Sequence, residues 1–200
     1  MKLLVSTASP YARKVRVLVR EAGRETEVEE VRVQTTALAT DPAILPHNPL
    51  GRIPALVRDD GPPVLDSRVI CRFLDARFGS GLYPEAHLWE VLTLEALADG
   101  ILDSGLAMSY EARLRPQDRQ WPDWTLAQWA KIARALDAVE ADWGPHLAGP
   151  LDMGQLALAC ALGYLDFRHG VRDWREEHPR LAEWEARMAQ RPSLQATVPA

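Results

Sequence analysis

Two cysteines, Cys71 and Cys160, are too few for a scaffold stapled by disulfides. Each lies inside an apolar helical pattern, so each reads as a buried thiol, which fits a reducing compartment. Histidine is scarce as well. His47, His87, His146, His169 and His178 are scattered without the spacing of metal ligands, so no metal is expected. There is no G-x-S-x-G, no P-loop and no G-x-G-x-x-G, which removes the common signals for an esterase elbow, a phosphate cradle and a dinucleotide site. No apolar run approaches membrane-spanning length. The opening MKLLVSTASP is too short, and too soon interrupted, for a signal peptide, so the cytoplasm is the expected location. Tryptophan is missing from the first 88 residues. All seven fall between Trp89 and Trp184, where most are expected to be core and helix-packing anchors.

A net charge of −5 gives no basis for binding nucleic acid or a membrane surface. The charge is unevenly spread, however. Residues 1–78 carry 12 Lys and Arg against 10 Asp and Glu, whereas residues 79–200 carry 11 against 18. The first part could therefore host a small anion. With 47% hydrophobic and 26% charged residues, the chain has the balance of a globular protein that can bury a core.

The chain opens with a short apolar run at 2–6, read as a buried strand. From Pro10, apolar residues at Tyr11, Val15, Leu18, Val19 and Ala22 keep helical spacing up to Gly23. Residues 26–33 alternate valines with charges and read as a polar strand near an edge. Residues 53–58 form a third strand. Asp59-Asp60-Gly61-Pro62 marks a turn, and 63–65 should pair back as a fourth strand. Ser67–Phe78 is helical, with Ile70, Phe73, Leu74 and Phe78 on one side. Residues 1–78 thus read β-α-β followed by β-β-α, a small mixed sheet with helices packed on it. Gly79-Ser80-Gly81 and Pro84 place a linker at 79–84. Everything from 85 to 200 reads helical, in segments near 85–114, 122–147, 152–169 and 179–191. Asp152 and Gln155 have the spacing of a capping box at the head of the most apolar helix, a structural role.

Three short stretches could carry chemistry. In TASPYARKV, Ser9 precedes Pro10 at a helix start. This is an ordinary N-cap, but also a place where a hydroxyl and free N–H groups could meet an anion. Arg13, Lys14 and Arg16 follow, where acids would be usual, and could strengthen that field. In HNPLGRIPAL, the turn leads to Arg52-Ile53-Pro54. A cis Ile53–Pro54 bond would turn the main-chain groups of Ile53 away from the sheet, free to pair with an extended peptide, whereas a trans bond would make it a simple strand-edge proline. In LDSRVI, Asp66-Ser67 opens a helix. Ser67 can cap it, or the pair can hold a carboxylate and an ammonium group.

The order of these stretches, Ser-Pro-Tyr, then N-P-L-G-R-I-P-A-L, then D-S, then an all-helical half containing A-C-A-L-G-Y-L-D-F, resembles the soluble glutathione S-transferase superfamily along the whole chain. Ser-Pro-Tyr is similar to its serine-type members rather than to the cysteine-bearing omega type. The resemblance implies a thioredoxin-like domain over 1–78 and an all-α domain over 85–200. It implies that Ser9 donates to the sulfur of glutathione and that Ile53, before cis Pro54, pairs with its cysteinyl backbone. Asp66 and Ser67 would hold the γ-glutamyl end, and Arg52 would lie near the glycyl carboxylate. It further implies a two-fold homodimer, to which the broad apolar face of helix 85–114 adds support. A small apolar electrophile would be the second substrate, in a site between the domains lined by Met108, Tyr110 and Arg113. A non-enzymatic binding or regulatory protein on the same fold is the alternative.

Overall fold

The computed structural model describes all residues, 1–200. Its sheet has three strands, β1 (Lys2–Val5), β2 (Glu29–Arg32) and β3 (Ala55–Val57), in the order β2-β1-β3. β1 is central, and Leu3, Leu4 and Val5 are all buried, as an apolar run covered on both faces requires. β2 runs parallel to β1 and β3 antiparallel. Helix α1 (Pro10–Glu21) supplies the crossover between the parallel pair. Leu4, Val33, Ile44 and Ala55 form a buried cluster, against which Val31, Ile53 and Leu65 pack.

β2 is at the edge, as its polar alternation suggests, but it is shorter than 26–33. Glu25–Glu27 turn as one 3-10 turn before the strand begins. The fourth strand is reduced to a single bridge, Leu56 with Val64, closed by two N–H to O bonds of 3.1 and 2.9 Å. Pro62 and Pro63 lack the N–H groups a longer ladder would need.

Helix α2 (Ser67–Phe78) ends on Gly79 at φ +64. The linker beyond is firmly held, because the Asp75 carboxylate accepts from Ser80 Oγ at 2.6 Å and from the N–H of Leu82 at 2.8 Å. The remaining helices are α3 (Leu88–Leu114), α4 (Pro122–Asp142), α5 (Gly144–Leu147), α6 (Met153–His169), α7 (Pro179–Met188) and α8 (Pro192–Gln195). The family's architecture, a thioredoxin-like domain of mixed sheet and helices followed by a helical domain, is therefore present. One compact unit spans 1–88 together with 192–200, and the other spans 89–191. Residues 192–200 thus pack with the first unit, although the sequence reads them as part of the helical half.

Within the helical unit, α6 is buried along nearly all its length. Asp152 caps it as expected, accepting from the N–H of Gln155 at 2.9 Å. Gln155 does not complete a reciprocal capping box. Its side-chain amide donates instead to the carbonyls of Pro150 at 2.7 Å and His146 at 3.2 Å, tying down the preceding loop. Trp174 and Trp184 are buried and Trp124, Trp129 and Trp143 are half-buried, so five of the seven pack against the unit, while Trp89 and Trp121 are largely exposed. Where α3 meets α6, the Gly105 carbonyl receives Ser109 Oγ at 2.9 Å and lies 2.8 Å from His169 Nε2, and the Tyr164 hydroxyl donates to Ser109 at 3.3 Å. Burial holds His169 below its ordinary pKa, only partly offset by its bond to Gly105. No helix of the chain is long and apolar enough to cross a membrane.

Candidate functional site

Ser9 is the N-cap of α1, with extended φ and ψ of −81° and 118°. Its Oγ accepts from the N–H of Ala12 at 3.2 Å, and its own N–H donates to the Ser6 carbonyl at 3.1 Å. The cap uses a lone pair of the hydroxyl and leaves its proton without an acceptor in the protein. A helix N-terminus also presents positive potential. Ser9 can therefore cap the helix and donate to an incoming anion at the same time, which unites the two readings of TASPYARKV.

The basic residues behind Ser9 are not a solvated cluster. Arg13, Lys14 and Arg16 are all buried. Arg16 pairs with Glu30 at 2.9 Å, and Arg20 pairs with the other Glu30 oxygen at 2.8 Å. Burial pushes the Glu30 carboxyl up, but the hydrogen bond from Arg20 and the charges of Arg16 and Arg20 outweigh it, and the net shift is downward. Arg16 is thus largely neutralised by β2 and adds little to the field at Ser9, contrary to expectation. Arg13 has neutral partners only, Leu194 O at 3.1 Å and Thr197 Oγ1 at 3.4 Å.

The Ile53–Pro54 peptide is cis, as the sequence condition for a peptide-binding edge requires. The ladder between β1 and β3 ends at Ala55, opposite Leu4, so Ile53 lies just beyond it. Its main-chain groups take part in none of the loop and turn hydrogen bonds of the unit. Arg52 is exposed and its side chain is free to reach solvent.

The loop before Ile53 is organised by Asn48, which the sequence reading treats only as part of a turn. Asn48 is buried. Its Nδ2 donates to Arg52 O at 2.7 Å, and its Oδ1 accepts from the N–H of Leu50 at 3.0 Å. The turn also needs Gly51, which sits at φ +64 with Thr40 so close that an added Cβ would meet its side chain at 2.5 Å. The signal for Asn48 is its place at the head of N-P-L-G, where a side-chain amide can satisfy both arms of a turn. Asn48→Ala is expected to destabilise the chain by about 1–3 kcal/mol. Thermal unfolding of the variant checks the effect.

Asp66, not Ser67, is the N-cap of α2, and its Oδ1 accepts from the N–H of Arg68 at 3.0 Å. Ser67 is the first helical residue and is buried, so the capping role offered to it passes to its neighbour. Asp66 Oδ2 faces outward, 3.5 Å from Arg68 Nη2. Asp66 therefore offers an exposed carboxylate beside the N-terminus of α2, the pairing a zwitterionic amino-acid end needs. Ser9, Ile53, Pro54, Asp66 and Ser67 thus all stand at ends of β1, β3, α1 and α2 within one unit, with Arg52 next to them in sequence.

Met108, Tyr110 and Arg113 all lie on α3. Met108 is buried, Tyr110 is half-buried and Arg113 is exposed. Tyr110 and Arg113, three residues apart, share a face, while Met108 points elsewhere. No three His, Cys, Asp or Glu side chains are grouped to hold a metal ion.

Residues 8–77 match the glutathione S-transferase N-terminal domain family and residues 109–187 its C-terminal domain family. An uncharacterised GST-like protein of Escherichia coli, YibF, is 33% identical over all of this chain and 98% of its own. Among solved structures, a glutathione transferase family member from Pseudomonas fluorescens with bound glutathione is 44% identical, with a TM-score of 0.97, covering 100% of this chain and 98% of that one. A Methylobacillus flagellatus glutathione S-transferase with glutathione bound is 36% identical, with a TM-score of 0.87, over 100% and 99% of the two chains. With both domain families matched in order and these relatives spanning its full length, the chain belongs to the glutathione S-transferase family.

Proposed function

We propose that this chain is a serine-type glutathione transferase, in which the Ser9 hydroxyl donates a hydrogen bond to the glutathione sulfur and stabilises the thiolate left when the thiol proton passes to solvent. The observation that carries the reading is the Ser9 hydroxyl itself. It is engaged as an acceptor by Ala12 N–H and still holds an unused proton at the head of α1. Ile53 beside cis Pro54 pairs with the cysteinyl backbone of glutathione. Asp66 and Ser67 receive the γ-glutamyl end, and Arg52 faces the glycyl carboxylate. Glutathione in the relatives from Pseudomonas fluorescens and Methylobacillus flagellatus supports this assignment. The thiolate then attacks an electrophilic carbon of a small apolar substrate, forming a C–S bond as the leaving group or the neighbouring carbanion takes the displaced electrons. A Pseudomonas fluorescens relative, 43% identical, with bound S-(propanoic acid)-glutathione supports a site that accepts a sulfur substituent.

Glutathione-dependent turnover across a panel of aryl halides, activated alkenes and hydroperoxides tests the reading. Turnover with at least one electrophile class, together with saturable glutathione binding, is the expected result. Tight glutathione retention with no turnover on any of them would instead identify a binding or regulatory protein.

The same reading includes a two-fold homodimer in the cytoplasm. Leu50 and Val69 support it, since both are apolar and more than half exposed on the first unit. Sedimentation at micromolar concentration should give twice the chain mass. A fully active monomer would contradict the dimer.

A further inference from the structure

Residues 192–200 lie along α1 at three places. Near the end of that helix, the Ser193 hydroxyl donates to the Glu21 carboxylate. In its first turn, Arg13 Nη2 donates to Leu194 O at 3.1 Å and its Nε to Thr197 Oγ1 at 3.4 Å. Thr197 in turn donates to Ser193 O at 2.8 Å, closing the turn on itself. In front of the helix, the Thr7 hydroxyl donates to Ala200 O at 3.1 Å. From Arg13 to Glu21 the tethers span about 12 Å of helix axis. Ser193, Leu194 and Thr197 are buried against this surface.

Ser9 lies between two of the tethers. Thr7 is two residues before it, on the same loop. Arg13 is one helical turn after it, and the Arg13 N–H donates to Ser9 O at 3.0 Å. The Arg13 guanidinium is buried with neutral partners only, and its Nη1 has none. A buried cation so placed is a poor device for stability, since an apolar side chain of similar length usually serves at least as well. It is well placed to hold residues 192–200 against the first turn of the helix that Ser9 caps.

We infer that residues 192–200 form a strap that holds the Ser9 hydroxyl in its donating position, with Arg13 and Thr7 as its positioning residues. The inference rests on the assignment of Ser9 as thiolate donor. Glutathione's peptide is held by a different loop and helix, at Ile53, Asp66 and Ser67, so loosening the strap should change thiol activation more than binding.

The test uses the full chain and the variants Arg13→Met, Arg13→Lys, Thr197→Val and Thr7→Val, with Ser9→Ala alongside. Turnover, KM for glutathione, the pKa of the bound thiol and thermal stability are measured for each. Arg13→Met, Thr197→Val and Thr7→Val should each lower kcat about three- to tenfold, the loss of roughly one hydrogen bond's worth of positioning. The bound thiol pKa should rise and KM should stay within about twofold. Arg13→Lys keeps the cation without the fork and should recover part of the loss. Unchanged kcat and thiol pKa in these variants, with Ser9→Ala still impaired, would overturn the strap and leave the Ser9 assignment standing. A loss that follows thermal stability and affects KM and kcat alike would also overturn it. If Ser9→Ala itself leaves the thiol pKa unchanged, both the assignment and the strap fall.

Discussion

Ser9→Ala should lower glutathione turnover by about ten- to a hundredfold, with KM for glutathione moving by no more than about threefold. A hydrogen bond to a charged group contributes about 1.5–3 kcal/mol, and each 1.4 kcal/mol is a factor of ten in rate. The lost bond acts on the thiolate, which forms only after binding, so the effect falls on kcat. The substitution also removes the N-cap of α1, which costs about 1 kcal/mol of stability. Two further variants separate the roles. Ser9→Thr keeps both cap and donor and should retain most of the activity. Ser9→Asp keeps a capping oxygen but carries a negative charge and no proton near neutral pH, so it should fold and be less active than Ser9→Ala. Thr7 cannot easily take over, because its hydroxyl already donates to Ala200 O. Turnover by Ser9→Ala equal to that of the wild type would make Ser9 a helix cap and nothing more.

The largest expected effect on stability is at Asp152. Its carboxylate is buried, caps α6 through the Gln155 N–H at 2.9 Å, and lies 2.7 Å from His146 Nε2. α6 supplies much of the helical unit's core, including Leu156, Leu158, Leu162 and Leu165. Its start is also tightly packed, since a Cβ at Gly154 would meet Leu94 Cβ and the Val91 carbonyl at 3.0 Å. Water therefore has little room to replace the lost oxygen. Asp152→Ala should cost about 2–4 kcal/mol, combining the cap with a buried N–H left unpaired. For a chain of this size that corresponds to a fall of roughly 5–12 °C in Tm. Asp152→Asn keeps an acceptor and should lose less than half as much. A Tm for Asp152→Ala within about 1 °C of the wild type would show that the cap is dispensable.

The parts of the fold that the sequence reveals are those set by neighbouring residues. An apolar run followed by Ser9-Pro10 places β1 and the start of α1, and Asp152 before an apolar helix places the cap of α6. N-P-L-G-R-I-P places Pro54 where the chain enters the sheet but fits a cis or a trans bond equally, and the cis form follows only from the resemblance. What the sequence conceals depends on partners far along the chain. Arg16 looks like a source of field until Glu30 on β2 is seen to neutralise it. Arg13 looks like part of the same field until Leu194 and Thr197, more than 180 residues later, are found around it. Nothing local in 192–200 shows that this stretch joins the first unit. Asn48 is visible as a turn residue but not as a buried pin, because that role needs the Arg52 carbonyl to return beside it. The Pro62-Pro63 pair carried its own warning that a fourth strand would shrink to one bridge.

The central claim is that the head of α1 makes a thiolate, and the pKa of glutathione bound to the wild-type chain tests it most directly. The measurement is ultraviolet thiolate absorbance as a function of pH, at saturating glutathione, for the wild type and for Ser9→Ala. The account predicts a bound thiol pKa of about 6.5–7.5, against roughly 8.5 for a free thiol, and a rise of about one unit or more in Ser9→Ala. A wild-type value at or above that of the free thiol, or the same value in both proteins, would contradict it.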